Sequence, residues 1–223
     1  RSVVARLADL GARVVAPTHD EYDLTVPGAA DAMLAAYSPT HVIHLAARVG
    51  GIGYNQVAPA PLYLDNLMMG THIIEATRAA GTEKTVLLGT VCSYPKLTPV
   101  PFKEESLWDG YPEETNAPYG IAKKAHLIHA QVNAIQYGQK FAYLIPTNLY
   151  GPGDKFHESV SHVIPALIKK CIEAKETGAT HIDVWGTGSA SREYLYVEDA
   201  AAAIVRAAEA HEGTEPINLG SNS

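Results

Sequence analysis

A tyrosine and a lysine stand four residues apart near the start of a predicted helix, in the run Tyr119-Gly-Ile-Ala-Lys123. Residues at this spacing project from one face of a helix, so the phenol and the ammonium are predicted to lie close together. A neighbouring ammonium favours the phenolate and is expected to lower the phenol pKa. A phenol in this position can give or take a proton at a carbonyl or alcohol oxygen. Thr90, which directly follows a predicted strand, offers a hydroxyl for a second hydrogen bond to the same oxygen.

The elements that must position these residues alternate along the chain. Short apolar runs alternate with segments of helical length, which predicts βαβ units and a parallel sheet with helices on both faces. The fold class is therefore expected to be α/β, with a doubly wound parallel sheet. The predicted strands cover residues 12–16, 41–46, 85–89, 141–145, 182–185 and 216–219, and the predicted helices cover residues 2–10, 27–37, 61–80, 119–137, 162–177 and 197–210.

Polar and glycine-containing segments follow three of the predicted strands, at residues 46–48, 90–94 and 146–148. In doubly wound sheets the ligand binds beyond the carboxyl ends of the strands. The three segments are therefore expected to meet at one edge of the sheet and to form the site.

The composition excludes several classes of protein. Of the 223 residues, 47% are hydrophobic and 18% are charged, which indicates a globular chain with a packed core and not a disordered one. A net charge of −7 provides no bulk basic field for nucleic acid. The longest uncharged apolar stretch, residues 200–205, is far shorter than the ~20 residues that span a bilayer, so no membrane association is expected. Cys92 and Cys171 form neither a disulfide framework nor a zinc set, which favours a cytoplasmic location.

Both ends of the sequence predict a longer protein. The first predicted helix begins at the second residue, and the chain stops in a turn directly after a predicted strand. We therefore expect the chain to be truncated at both ends.

Thr90 and the Tyr119-x-x-x-Lys123 pair on an α/β framework resemble the extended short-chain dehydrogenase/reductase family. Longer segments are similar to the branch of that family that epimerises and reduces GDP-4-keto-6-deoxy-D-mannose to GDP-L-fucose with NADPH. These segments are HLAARVGGI (44–52), CSYPK (92–96), PTNLYGP (146–152), SHVIPAL (161–167) and VWGTG (184–188). The resemblance implies a Rossmann-type NADP-binding domain over residues 1–150 and a partial substrate-binding lobe over residues 151–223, of which residues 180–219 partly return to the main sheet.

The resemblance also implies the roles of the catalytic residues. A 4-keto group acidifies the hydrogens on C3 and C5, and Cys92 and His162 are expected to be the acid and base that invert both centres. In the reduction, Tyr119 is expected to protonate the developing alkoxide, Lys123 to tune the phenol and hold the nicotinamide ribose, and Thr90 to position the oxygen. The family more often has Ser at the position of Thr90, and threonine keeps the hydroxyl.

Cofactor and substrate contacts are carried over from the family in the same way. The Gly-rich pyrophosphate turn is expected immediately before Arg1, and His19 stands where some members have an arginine for the 2′-phosphate, which favours NADP(H). The expected cofactor contacts are His19, Asp23, Ala46, Ala47, Leu88, Gly89, Thr90, Val91, Tyr119, Lys123, Pro146, Thr147, Asn148, Leu149 and His162. The expected contacts with the GDP-sugar substrate are Lys170, Trp185 and Arg192.

The same residues bear on the oligomeric state, on metal binding and on alternative functions. Family members are usually homodimers through two long helices, here residues 61–80 and 119–137. No metal site is expected, because His126 and His129 share a helix face without a third ligand at suitable spacing. A 4,6-dehydratase is disfavoured because Val91 and Cys92 stand where that enzyme needs carboxylates. A 4-reductase without epimerisation, a GDP-mannose 3,5-epimerase and a non-catalytic sugar-nucleotide or redox sensor remain alternatives.

Overall fold

The computed structural model describes residues 1–157, 161–184, 186–189 and 191–221. The helices are α1 (Ser2–Asp9), α2 (Ala29–Tyr37), α3 (Ile52–Val57), α4 (Pro59–Ala79), α5 (Ala117–Tyr137), α6 (Val163–Thr177) and α7 (Val197–Ala210). The strands are β1 (His41–His44), β2 (Lys84–Leu88), β3 (Phe141–Pro146), β4 (Asn148–Tyr150), β5 (Tyr194–Tyr196) and β6 (Ile217–Leu219). Short 3₁₀ helices lie at Val91–Ser93 and Glu104–Trp108.

Local sequence signals mark the ends of the two longest helices. Pro59 stands in the first turn of α4, where its missing N–H costs nothing. Helix α5 also has a proline in its first turn, and it ends at Gly138, whose φ of 69° is the left-handed conformation that glycine adopts without strain. These helices lie within two residues of the boundaries predicted from the sequence.

The main sheet is parallel, with the strand order β1-β2-β3-β6. His44 pairs with Leu87, Leu88 with Leu144, and Pro146 with Leu219. Because the strands are parallel and in register, their carboxyl ends lie at one edge of the sheet, and the segments after β2 and β3 begin there. Strands β4 and β5 form a separate parallel pair.

The core has two layers, one on each face of the main sheet. Leu87, Tyr143 and Ile145 pack with Ile74 of α4 and Leu127 of α5 on one face. The alternate strand residues, including Val86 and Leu144, pack with Val3 of α1 and with Ile204 and Val205 of α7 on the other. Neighbouring strand residues point to opposite faces, so helices cover both sides. The prediction of a doubly wound α/β sheet is confirmed, and the division into a cofactor domain and a substrate lobe stays a prediction.

Two predicted strands are wrong. Residues 12–16 and 182–184 contain no strand in the part of the chain that the structure describes, and residue 185 lies outside that part. Both segments have the apolar content of a strand, but a strand also needs a neighbour for its backbone hydrogen bonds. In the described residues the main sheet ends at β1, and no paired strand lies beside residues 12–16.

Three short elements were missed by the sequence analysis. Strands β4 and β5 have three residues each, which is too short for alternation to be recognised. Helix α3 has six residues and begins at Ile52, inside the Gly-rich segment at residues 50–53. Among the described residues, no helix is both long enough and apolar enough to cross a membrane.

The close packing of α4 on α5 generates a stability prediction for Gly70. A Cβ atom at this position would collide with the His126 ring, which is 2% exposed and whose Nε2 lies 3.2 Å from the carbonyl oxygen of Leu67. Overpacking costs about 1–3 kcal/mol, against the roughly 1 kcal/mol that alanine gains over glycine in a helix. Gly70→Ala is therefore expected to lower the free energy of unfolding measured with denaturant.

Gly53→Ala in α3 is the matched control, because a Cβ atom there meets no atom within 4 Å. This variant should be as stable as the wild type or more stable. A Gly70→Ala variant with undiminished stability would mean that the His126 ring can move aside.

Candidate active site

Tyr119 and Lys123 lie on the first two turns of α5. The Lys123 ammonium nitrogen lies 5.8 Å from the centroid of the Tyr119 ring. Lys123 is only 2% exposed, and burial lowers its pKa to about 8. Burial also raises the pKa of Tyr119, with the nearby Cys92 adding to the effect. The expected lowering of the phenol pKa is therefore wrong: loss of water around the phenol outweighs the attraction of the ammonium, and Tyr119 keeps its proton at neutral pH.

The Cys92 turn, residues 90–93, follows β2 and lies directly against α5. Thr90 Oγ1 accepts a hydrogen bond from the backbone N–H of Cys92 at 3.2 Å. The Ser93 hydroxyl donates to the carbonyl oxygen of Gly120 at 2.9 Å. A Cβ atom on Gly120 would collide with the carbonyl oxygen of Cys92, so only glycine permits this approach. The structure thus brings Thr90, Cys92 and Tyr119 together.

Burial raises the pKa of the Cys92 thiol. The hydrogen bond with Thr90 opposes this shift, and the negative charge of Glu113 reinforces it. The thiol therefore holds its proton at neutral pH.

The N-terminus of α5 is fixed by residues that the sequence analysis missed. The Glu113 carboxylate accepts hydrogen bonds from the backbone and side chain of both Thr115 and Asn116. Asn116 in turn accepts a hydrogen bond from Asn55 of α3 at 3.1 Å. Glu113 therefore closes the turn that leads into α5, and no spacing in the sequence marks this role.

Tyr143 of β3 is hydrogen-bonded to the backbone of Lys123. Its hydroxyl donates to the backbone carbonyl of Lys123 at 2.7 Å, and its ring lies where a Cβ atom of Gly89 would be. His44 is also buried near Lys123, and burial together with the lysine charge lowers its pKa well below the ordinary value. His44 Nε2 has no hydrogen-bond partner among the described residues. His44 is therefore a neutral imidazole next to the lysine.

His162 lies at the N-terminal boundary of α6 and is exposed. Its neighbour Ser161 touches the Gly-rich segment, because a Cβ atom on Gly51 would lie 3.5 Å from the Ser161 carbonyl oxygen. The segment that carries His162 is therefore packed against the loop that precedes α3. Its pairing with Cys92 stays a prediction.

The segment after β1 is held by a buried asparagine of α4. Asn66 exchanges two hydrogen bonds with the backbone of Arg48, at 3.0 and 2.9 Å, and so fixes the loop that contains Ala46 and Ala47. The Arg48 guanidinium pairs with Asp65 at 2.7 Å. It was not among the predicted contacts, although it lies in one of the quoted segments.

His19 is exposed, and Asp23 is half-buried. The Asp23 carboxylate accepts hydrogen bonds from the backbone and hydroxyl of Thr25, which lower its pKa, and the charges of His19 and Arg48 act in the same direction. His19, Asp23 and Arg48 therefore share one region of the molecule.

The segment after β3 carries the remaining predicted cofactor contacts. Pro146 ends the strand, and Thr147 donates its backbone N–H to Leu219 of β6 at 2.9 Å. Asn148 and Leu149 are exposed on β4, and the Asn148 amide donates to the Glu193 carbonyl oxygen at 3.1 Å. The Thr147 hydroxyl is buried without a hydrogen-bond partner among the described residues. A buried hydroxyl without a partner can donate to a ligand at this edge of the sheet, and a contact of Thr147 with the cofactor stays a prediction.

Leu88 and Val91 are half-buried and pack against the two core layers. They therefore serve the core whether or not they also contact a cofactor.

The predicted substrate contacts are separated along the second part of the chain. Lys170 of α6 donates to the Asp183 carbonyl oxygen at 2.7 Å. Arg192 is exposed just before β5, and its guanidinium contacts the Ser191 carbonyl oxygen. Trp185 lies outside the described residues. In the part of the chain that the structure describes, no group of three or more His, Cys, Asp or Glu side chains could hold a metal ion.

The fold and the geometry of the site define a Rossmann-type oxidoreductase that acts with a nicotinamide cofactor. The model of the NAD dependent epimerase/dehydratase family matches residues 1–220, and the chain belongs to this family. It is 42% identical over 224 residues to probable GDP-L-fucose synthase 1 of Oryza sativa subsp. japonica, an alignment that covers 100% of this chain and 68% of that relative. It is 41% identical over 216 residues to GDP-L-fucose synthase of Escherichia coli (strain K12), covering 93% of this chain and 67% of the relative.

Among solved structures, the chain is similar to a GDP-L-fucose synthetase from Naegleria fowleri bound to NADP. The TM-score is 0.89 at 31% sequence identity, and the match covers 100% of this chain and 73% of that one. The expectation of an extended short-chain dehydrogenase/reductase is confirmed.

The lowered pKa of Lys123 generates a prediction on stability and pH. A lysine with a native pKa of about 8, against 10.5 in the unfolded chain, binds fewer protons when folded between these values. The contribution of Lys123 to the free energy of unfolding is therefore lowest below pH 8, and it increases as the pH rises toward 10.5. Lys123→Met should raise the free energy of unfolding at neutral pH by about 1–3 kcal/mol without added cofactor, and should flatten this pH dependence.

Lys124→Met is the neighbouring control. The Lys124 ammonium donates to the Leu107 carbonyl oxygen and lies 4.6 Å from the centroid of the Trp108 ring. Burial lowers the pKa of Lys124 as well, but its replacement also loses these contacts, so Lys124→Met should raise stability less than Lys123→Met does. Urea unfolding across the pH range measures both variants, and a loss of stability in Lys123→Met at neutral pH would contradict the burial argument.

Proposed function

We propose that this protein epimerises C3 and C5 of GDP-4-keto-6-deoxy-D-mannose and reduces C4 with NADPH, forming GDP-L-fucose. The observation that carries the proposal is the contact between the Cys92 turn and the first turn of α5. This contact supports a site in which the Cys92 thiol exchanges protons with carbon and Tyr119 and Lys123 serve the reduction. The names and identities of the curated relatives support the same reaction.

In the first stage, Cys92 and His162 exchange protons with carbon. The 4-keto group stabilises the enolate that remains when a proton leaves C3 or C5, and a proton returned to the opposite face inverts the centre. The raised pKa of Cys92 keeps a proton on the thiol at neutral pH, and His162 contributes an imidazole, a side chain with one donor and one acceptor nitrogen when neutral. The pair therefore has the acid and base capacity that each inversion needs.

In the second stage, Tyr119 transfers its proton to the oxygen on C4. NADPH, when bound, supplies the hydride to C4. The raised pKa of Tyr119 makes it a proton donor, and the Thr90 hydroxyl, 9% exposed, can hold the same oxygen. Lys123, with a pKa of about 8, is mostly charged at neutral pH and stabilises the negative charge left on the phenol.

The residues that would hold the cofactor lie at the carboxyl edge of the sheet and in the loops after β1 and β3. Lys123, Tyr119 and the unpartnered hydroxyl of Thr147 suit the nicotinamide ribose and carboxamide. Ala46 and Ala47 are assigned to the adenosine and Asp23 to the adenine, as the resemblance implies. NADP is favoured over NAD by the resemblance, by His19 as a partner for the 2′-phosphate, and by the NADP-bound relative.

The GDP part of the substrate is assigned to Lys170, Trp185 and Arg192. An ammonium and a guanidinium suit the pyrophosphate, and an indole suits the base or ribose. The half-buried position of Lys170 and the exposure of Arg192 are consistent with this assignment.

The reaction is tested with the full-length protein, NADPH and GDP-4-keto-6-deoxy-D-mannose in heavy water, with the product read by NMR. We expect GDP-L-fucose that carries deuterium at C3 and C5. The Cys92→Ser and His162→Asn variants are expected to give product without deuterium at C3 and C5. Tyr119→Phe should slow reduction by about 10²–10⁴-fold because the general acid is gone.

Cys171→Ser is the matched control for the cysteine, since Cys171 is exposed on α6 and should be replaceable without effect. A reduced sugar without deuterium would make the protein a 4-reductase, and exchange without reduction would make it an epimerase. Cofactor binding with neither reaction would indicate a sensor.

The outer surface of α4 and α5 supports a homodimer. Ile128, Val132 and Ile135 are 45%, 48% and 84% exposed and recur at helical spacing on α5. Tyr63 and Leu64 of α4 are 39% and 54% exposed. An apolar surface on two long adjacent helices is typical of an interface between copies of a chain.

The dimer is tested by analytical ultracentrifugation of Val132→Glu in the full-length protein. A carboxylate in the centre of an apolar interface should cost about 2 kcal/mol or more and shift the dimer toward monomer. Ile172→Glu, at an isoleucine that is 52% exposed on α6, is the control and should sediment as the wild type does. A wild type that is monomeric at all concentrations would refute the dimer.

A cytoplasmic location is proposed as well. Cys92 and Cys171 are both free thiols, and the mechanism requires Cys92 to stay reduced. A reducing compartment maintains this state.

A further inference from the structure

A second group of long-range contacts holds Tyr94, the residue that directly follows the Cys92 turn. Tyr94, two residues beyond Cys92, is 3% exposed, and its hydroxyl donates to the side-chain oxygen of Asn218 at 2.7 Å. Asn218 lies on β6 and is not one of the predicted site residues. The hydrogen bond joins two residues that are 124 positions apart in the chain.

Asn218 uses its other polar groups on the segment that follows Tyr94. Its side-chain nitrogen donates to the Phe102 carbonyl oxygen at 3.1 Å. Its backbone N–H donates to the Glu104 carboxylate at 2.8 Å. The Tyr94 and Phe102 rings are in contact, with centroids 4.8 Å apart. We call these four residues, Tyr94, Phe102, Glu104 and Asn218, the Asn218 clamp.

The hydrogen bond between Tyr94 and Asn218 depends on a protonated Tyr94 hydroxyl. Burial raises the pKa of Tyr94 to about 12, so its hydroxyl is a hydrogen-bond donor at neutral and mildly alkaline pH. β6 is itself fixed to the sheet, since Asn218 pairs with Ile145 of β3. Tyr94 is thus tied to the rigid sheet.

The reductive residues are held by other contacts. Lys123 is supported by Tyr143, and the α5 N-terminus by Glu113 and Asn116. Thr90 lies two residues beyond the end of β2 and four residues before Tyr94, although its hydroxyl accepts a hydrogen bond from the backbone N–H of Cys92. None of these contacts passes through Asn218, whereas Cys92 is separated from Tyr94 by a single residue.

We propose that Asn218 and Tyr94 are positioning residues for Cys92, which set the geometry of epimerisation but not that of C4 reduction. This inference rests on the function proposed above. Proton transfer to carbon depends on the position of the sulfur, and a misplacement of about 1 Å can cost about 10²-fold in rate. Loss of the clamp is therefore expected to act on one stage of the reaction.

The test measures the two stages separately in the full-length protein. Wash-in of deuterium at C3 and C5 of GDP-4-keto-6-deoxy-D-mannose without NADPH reports epimerisation alone. Single-turnover formation of NADPH from GDP-L-fucose and NADP reports hydride transfer at C4 in the reverse direction, without epimerisation. A clamp that acts only on stability would change both rates by the same factor.

For Tyr94→Phe we expect wash-in to fall about tenfold or more while hydride transfer changes less than about twofold. Tyr111→Phe, in the same loop and 66% exposed, is the matched control and should change neither rate. Asn218→Ala removes the same hydrogen bond from the other side and should shift the ratio of the two rates in the same direction.

Equal losses in both stages, or no loss in either, would overturn the positioning role. If the Tyr94→Phe variant does not fold, the ratio of wash-in to hydride transfer in Asn218→Ala tests the positioning role instead. A wild-type protein that shows no wash-in would overturn the proposed epimerisation and the clamp with it, an outcome distinguished from failure of the clamp alone because the wild type is then inactive too.

Discussion

The contact between the backbone of Cys92 and Gly120 is the constraint on which the site depends. Any side chain at position 120 would collide with the Cys92 carbonyl oxygen, so glycine alone lets α5 approach the end of β2 this closely. The Ser93 hydroxyl then locks the two segments together. Cys92 is one partner of this contact and Tyr119 directly precedes the other, so one close approach brings a thiol and a phenol together, with the Thr90 hydroxyl on the same turn. Both proposed stages of the reaction use this arrangement.

Burial, more than direct charge interaction, decides the protonation states in the site. It raises the pKa values of Tyr119 and Cys92 and lowers those of Lys123 and His44. Each group is therefore shifted toward its neutral form, and Lys123, with a pKa of about 8, is the one closest to titration at neutral pH. Removal of a charged lysine from water costs stability, which is the origin of the pH dependence expected for this protein.

The fold could be predicted from the sequence wherever the signal was local. Helices α4, α5 and α7 were located closely because apolar spacing, prolines and glycines mark them within their own residues. Residues 12–16 show the limit of this approach, because their composition is that of a strand but the described sheet provides no neighbour for them. Strands β4 and β5 were not predicted, for the opposite reason. Each forms only by pairing with the other, across more than 40 residues of chain.

By itself, the sequence determined the α/β class, the alternation of strands and helices, and the residue types available for chemistry: Thr90, Cys92, Tyr119, Lys123 and His162. Those properties depend on side-chain chemistry and short-range spacing, which a single chain displays directly. The tertiary structure decided the direction of the Tyr119 pKa, the support of Lys123 by Tyr143, and the attachment of Tyr94 to Asn218. Burial and long-range hydrogen bonds depend on which distant segments become neighbours, and only the folded chain brings those segments together.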